Sequence, residues 1–170
     1  MRTPLAFCLL SLAFFSCSTP QGPATKLEKA AVLPLELNDK FQFRKVKLDF
    51  FNADPLPVTT SEPVVFQRAR LTWGAVGHYQ VEQRYGNYFS FFWRTAERAD
   101  ITIRLEYRQA ALTNYVMAME RYYPQAKGSY RSDFTTAGDQ YLEAGRVSSW
   151  RVLLIVNGRI VALRQSFMWR

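Results

Sequence analysis

Trp150-Arg151-Val152-Leu153-Leu154-Ile155-Val156-Asn157-Gly158-Arg159-Ile160-Val161-Ala162-Leu163-Arg164 holds two apolar runs on either side of Asn-Gly. Both central positions of a type I′ turn need positive φ, and Asn-Gly supplies that best, so the stretch predicts a tight β-hairpin. A two-residue loop pins the register. Val156 then opposes Arg159, Leu154 opposes Val161, Val152 opposes Leu163 and Trp150 opposes Gln165, which gives a mostly apolar face fit for a core. The other face pairs Ile155 with Ile160, Leu153 with Ala162 and Arg151 with Arg164. Opposed arginines repel unless an acid joins them, and Glu106 is a candidate. On this reading Leu154→Ala costs about 2–5 kcal/mol, and Leu153→Ala costs less.

Outward from the hairpin the period stays at two. Ile101, Ile103, Leu105 and Tyr107 alternate with Thr102, Arg104, Glu106 and Arg108, which predicts a half-buried strand. Ala69, Leu71, Trp73 and Ala75 suggest another. Phe41 and Phe43 fall out of phase with Val46, Leu48 and Phe50, and a β-bulge near Arg44 reconciles them. Gly86-Asn87 suggests a hairpin joining Tyr79–Tyr85 to the aromatic run Tyr88–Trp93. Leu112 to Tyr123 fits helical and strand spacing alike, and its all-β surroundings favour strand. Gly138-Asp139 and Glu143-Ala144-Gly145 mark the turns into the last hairpin.

This spacing of short strands over residues 41 to 169 resembles an immunoglobulin or fibronectin type III domain. The cysteine pair of antibody domains is absent. The expected fold is all-β: a single antiparallel immunoglobulin-like β-sandwich of about eight strands, spanning residues 41–170.

The N-terminus carries a different signal. Arg2 precedes an apolar run from Leu5 to Phe15, closed by Ser16-Cys17. A charged start, an apolar segment too short to span a bilayer and a small residue make an export signal over residues 1–16. Leu12 to Cys17 resembles the lipobox of bacterial lipoproteins, with Phe14 and Phe15 where the family has aliphatic and small residues. The resemblance implies a lipid on Cys17, and Ser18 after it implies sorting to the outer membrane, facing the periplasm. Residues 17–40, with Pro20, Gly22, Pro23 and Pro34, read as a flexible tether. A second proline-rich loop covers Ala53 to Pro63. With Cys8 removed and Cys17 acylated, the domain folds without a disulfide. Its 48% apolar and 15% aromatic content must supply the core.

The formal charge of +8 comes from scattered basic residues. Export argues against a nucleic-acid partner, which leaves solubility or an anionic surface. His78 is the only histidine, so the usual metal sites and serine or cysteine triads lack their parts, and neither metal nor cofactor is expected. A glycosidic mechanism could draw only on Asp100, Glu106, Asp133, Asp139 and Glu143, so a hydrolase is the remotest reading. The reading favoured is a non-catalytic, lipid-anchored envelope protein. It meets the membrane through its lipid and binds an acidic protein or anionic envelope polymer through its sandwich. A glycan or small-ligand domain using Tyr85, Tyr88, Tyr122, Tyr123 or Trp169 is the alternative. The candidate interaction surface is Arg104, Arg108, Arg151, Leu153, Ile155, Ile160 and Arg164, an apolar patch rimmed by arginine. Two other readings of that patch stay open. The tether or Leu112–Tyr123 packs over it, or Glu106 merely neutralises Arg151 and Arg164.

Cys17→Ala should yield an unlipidated protein that leaves the membrane fraction and shifts on a gel. Wild-type fractionation and mobility would overturn the lipobox reading.

Overall fold

The computed structural model describes residues 22–52, 74–75 and 77–169. The expected signal peptide, Cys17, the Ala53–Pro63 loop and most of the Ala69–Ala75 strand lie outside them. The described strands are β1 (Thr25–Leu27), β2 (Phe41–Phe51), β3 (Gly86–Gln109), β4 (Met117–Ala137), β5 (Val147–Val156) and β6 (Arg159–Gln165). Two short helices, α1 (His78–Glu82) and α2 (Asp139–Ala144), join them. The named strand pairs are all antiparallel, so the fold is all-β. Among the described residues six strands form one continuous sheet, where the sequence suggested about eight in a two-sheet sandwich.

The sheet runs β1-β4-β3-β5-β6, and β2 also lies on β3. β3 shares one edge between two partners: Gly86 to Thr95 pair with β2, and Thr102 to Gln109 pair with β5. Between these halves the register of β3 against β4 shifts at Thr95–Ile101. β4 answers with Pro124, with Gln125 at φ 48° and with Gly128 at φ 100°. The Asp100 carboxylate accepts hydrogen bonds from the Gln125 backbone N–H (2.8 Å) and side-chain amide (2.9 Å) across the bend. The Gln125 backbone bond, then its side chain, hold the Asp100 carboxyl below its ordinary pKa.

The bend folds the sheet onto itself. Tyr123 and Ser132 lie on one strand, where nine residues of straight β-structure would separate them by about 30 Å. Their side-chain oxygens are 2.6 Å apart. The first layer is therefore β2 with the N-terminal half of β3 and the C-terminal half of β4. The second is β1, β5 and β6 with the remaining halves. Their inner faces meet where Phe91 packs on Trp150, with ring centroids 5.7 Å apart. Ile101, Ile103, Leu105 and Tyr107 are wholly buried between them, as their alternation predicts. The bulge expected near Arg44 is present: Phe43 pairs with Trp93, Lys45 pairs with Phe92, and Arg44 is skipped.

Several local expectations are corrected. Tyr79–Tyr85 holds α1 and a turn rather than a strand. Gly86-Asn87 starts β3 instead of turning a hairpin. Glycine is needed at 86 for closeness, since a Cβ there would meet the Thr136 carbonyl oxygen at 2.3 Å. In Leu112–Tyr123 the strand begins only at Met117, after a 3₁₀ turn over Ala110–Leu112. The last hairpin turns at Asn157 (φ 50°) and Gly158 (φ 72°), as expected. Its register then slips between Ile155 and Leu154. Leu154 opposes Ala162, Leu153 opposes Leu163, Arg151 opposes Gln165, and Val152 opposes Arg164. Val161 is the extra residue, and it shares the inner core with Ala162. One bulge thus carries Arg164 off the face that holds Arg151.

The segment expected as a flexible tether is packed on the sheet from Gly22 onward. Arg121 donates to the Gly22 carbonyl (2.7 Å), and β1 pairs with Ala118–Glu120 of β4. Farther on, Ile160 N–H donates to the Pro34 carbonyl, Glu36 N–H to the Ile160 carbonyl and Asn38 N–H to the Val161 carbonyl. Residues 28–38 therefore form a strap along β6 and across the second layer.

The strap alters the expected asymmetry of the hairpin. Leu153 is 2% exposed and Leu154 is wholly buried, so both faces of β5 are covered. Leu153→Ala and Leu154→Ala should each cost about 2–5 kcal/mol in urea unfolding. A loss at Leu153 much below that at Leu154 would show that the strap does not cover this face in solution.

Candidate interaction face

The outer face of the second layer carries a chain of charges of alternating sign. Register places Arg104 of β3 beside Glu120 of β4, and Glu106 of β3 beside Arg151 of β5. Arg104 Nε donates to Glu120 Oε1 (2.6 Å), and Arg151 Nε donates to Glu106 Oε2 (2.6 Å). Arg104 Nη1 lies 3.6 Å from Glu106 Oε1 and closes the chain. Arg104 and Glu106 are both buried. Taking such groups from water costs several kcal/mol each unless opposite charges and hydrogen bonds replace the water, and here they do.

The strap completes the burial. Arg104 Nη1 donates to the Ala31 carbonyl (2.8 Å), so a buried guanidinium fastens the strap to the sheet. Leu33 and Leu163 pack on Leu153, Ile155 and Ile160 to form a second, small core. These three residues were expected on an exposed patch. They are buried because residues 28–38 lie over them, one of the alternatives the sequence left open.

Other expected site residues are dispersed. Arg108 stacks on the Trp169 ring at 4.4 Å, and Arg151 stacks on the same ring at 4.9 Å. Trp169, a candidate glycan contact in the alternative reading, is buried with two guanidinium groups against its ring. Arg164 is exposed beside Gln42 and Arg44 at a cleft between β2 and β6, away from the charge chain. Arg104, Arg151, Leu153, Ile155 and Ile160 are brought together; Arg108 joins through Trp169, and Arg164 does not. Cys17 lies outside the described residues. Sequence reasoning passed over Glu120, Ala31 and Leu33. Only the pairing of β4 with β3 shows Glu120 to be the partner of Arg104, and no local pattern reveals a backbone carbonyl as a ligand.

Among the glycan-binding candidates, Tyr122 is exposed and Tyr123 is buried. Burial pushes the Tyr123 phenol above its ordinary pKa, which keeps the hydroxyl neutral and bonded to Ser132. His78 is exposed and lies 3.1 Å from Glu82 within α1. Among the described residues no three His, Cys, Asp or Glu side chains cluster as metal ligands would.

What the face offers to solvent is the rim of a groove of about 510 Å³ between strap and sheet. Leu153, Ile160 and Leu163 line it beneath, Val32, Leu35, Tyr115 and Val116 edge it, and Lys29, Arg104 and Arg151 stand there beside Glu28 and Glu106. Val32 is 99% exposed, Leu35 and Tyr115 each 58%, and Val116 37%. These are the apolar side chains that the groove rim leaves open to solvent. Comparison with protein-family models, curated proteins and solved structures finds no match to this chain.

Removing the central carboxylate should be costly and removing the dispersed arginine should not. Glu106→Gln is expected to lower stability by about 3–5 kcal/mol, as for breaking a buried pair, and Arg164→Ala by less than about 0.5. Similar losses for the two in urea unfolding would contradict this assignment of the charges.

Proposed function

We propose that this chain is a non-catalytic, lipid-anchored protein of the bacterial envelope, held by Cys17 at the outer membrane on the periplasmic side. Its scaffold is the immunoglobulin-like sandwich that the strand spacing suggests, with layers continuous through β3 and β4. It binds an anionic envelope component, protein or polymer, at the rim of the strap groove. The carrying observation is that rim: Val32, Leu35, Tyr115 and Val116 open to solvent beside Lys29 and the half-buried Arg151. Apolar contact supplies area there. The groove lining holds three basic side chains, Lys29, Arg104 and Arg151, against two acids, Glu28 and Glu106, and this small positive excess favours an anionic partner.

A second reading, a small apolar ligand seated in the groove, rests on the aliphatic lining formed by Leu153, Ile160 and Leu163. The rim is favoured because Val32, Leu35 and Tyr115 are largely open to solvent, as a surface contact requires.

A photo-crosslinking amino acid at Tyr115, activated in intact cells, should give adducts with an envelope component. The same group at exposed Lys47, on the outer face of the first layer, should give none. Equal yields at both positions, or none at Tyr115, would remove the support for this face.

A further inference from the structure

We infer that two copies of this chain associate through β2, antiparallel and centred on Leu48, and so join their first layers into one continuous sheet. The inference is independent of the proposed anchor and of the rim groove.

The first observation is an edge without a partner. β2 pairs with β3 along one side. Its first residues, Phe41 to Arg44, line a cleft with Val161 to Arg164 of β6. From Lys45 to Phe51 no second strand pairs with β2 among the described residues. An open row of backbone N–H and C=O groups is a template for another strand.

The second observation is incomplete burial on the core side. Val46, Leu48 and Phe50 oppose Phe91, Phe89 and Asn87 of β3, which sets them on the inner face. Phe89 and Phe91, one strand in, are buried. Leu48 is nevertheless 50% exposed, and Phe50 is 40% exposed although Arg146 lies over its ring at 4.4 Å. The core thins at the edge strand, and a strand laid along that edge would thicken it.

The third observation is the order of charges on the opposite face. Lys45, Lys47 and Asp49 oppose Phe92, Ser90 and Tyr88, and all three are exposed. No ion pair among the described residues includes them. In an antiparallel pair, opposed residues share a face, so each register of two identical strands is defined by the residue that meets its own copy. Centring on Val46 opposes Lys45 to Lys47. Centring on Lys47 or on Asp49 sets that residue against itself. Of these four registers only the one centred on Leu48 opposes no like charges. It sets Leu48 on Leu48, and it makes two further pairs twice each: Val46 on Phe50 and Lys47 on Asp49. Lysine on an open edge ordinarily deters pairing. Placed two residues before an aspartate, it admits one register and penalises the neighbouring ones.

The test is a charge swap in the full-length chain, purified in detergent and followed by sedimentation velocity. Wild type is expected to dimerise reversibly. Lys47→Asp and Asp49→Lys each turn both ion pairs into like-charge pairs, and each should raise the dimer dissociation constant about tenfold. The double variant restores opposite charges and should return the constant to within about threefold of wild type. Should a charge variant melt differently from wild type, a cysteine pair carries the test instead. Leu48→Cys should oxidise to a disulfide-linked dimer, because opposed residues of antiparallel strands lie about 4.5–5.5 Å apart at Cα, within disulfide reach. Arg94→Cys, exposed on β3, should not. A photo-crosslinker at Lys47 then joins two copies of the chain and captures no other component. A chain that stays monomeric at about 100 µM overturns the inference. So does a dimer equally stable in all three charge variants, or a Leu48→Cys chain that crosslinks no better than Arg94→Cys.

Discussion

The hydrogen bond between Tyr123 and Ser132 is the contact on which the shape of the molecule depends, because it joins two points of one strand that a straight strand would hold far apart. Ser132 also accepts from the Trp93 indole N–H at 2.9 Å, and Trp93 stacks on Tyr130 and meets Tyr123 edge to face. These groups fill the corner where β3 and β4 bend, and they satisfy their own polar atoms inside it. With the corner held, two long strands serve as the spine of both layers. β2 and β5 can then share one edge of β3, each confined to its own layer. Straight strands of this length would instead leave the apolar inner faces of both halves open to water.

Folding the sheet covers its inner face and leaves the outer face of the second layer to be dealt with separately. Leu153, Ile155 and Ile160 lie there beside two buried charges, Arg104 and Glu106. The strap answers both needs at once. Leu33 covers the aliphatic groups, and the Ala31 carbonyl takes a guanidinium hydrogen bond that water would otherwise have to fill. Because Arg104 also holds Glu120 and approaches Glu106, the strap is tied to a network spanning β4, β3 and β5. Its position is therefore coupled to the sheet's register and is not that of a loose linker.

What was legible in the sequence was what is local. Alternation at Ile101–Tyr107 gave the buried face, the phase slip at Phe43 gave the Arg44 bulge, and Asn157-Gly158 gave its turn. A second bulge at Val161 was invisible because Ile160 to Leu163 is apolar on both faces, so a slip of one residue breaks no pattern. That slip moved Arg164 out of the candidate site. Gly86 misled for a related reason: glycine marks turns and close backbone approach alike, and only the position of Thr136 separates the two. The strap stayed one alternative among several because it docks largely through its backbone, with Leu33 and the Glu36–Arg159 pair as side-chain contacts, while its prolines read as breakers. Pro34 does not break this structure; it offers its carbonyl to Ile160.

The docked strap also changes what the candidate interaction residues mean. An exposed apolar patch with arginines at its rim and a strap-covered core with an internal ion network contain the same residues. They differ in which groups remain available. Once Leu33 and Ala31 are in place, Leu153, Ile155 and Ile160 act on stability, and Arg104 acts on the strap. The apolar groups that stay open to solvent beside them are Val32 and Leu35 on the strap and Tyr115 and Val116 in the turn before β4. Contact surfaces of this kind are assembled from segments that a pattern search reads as connectors.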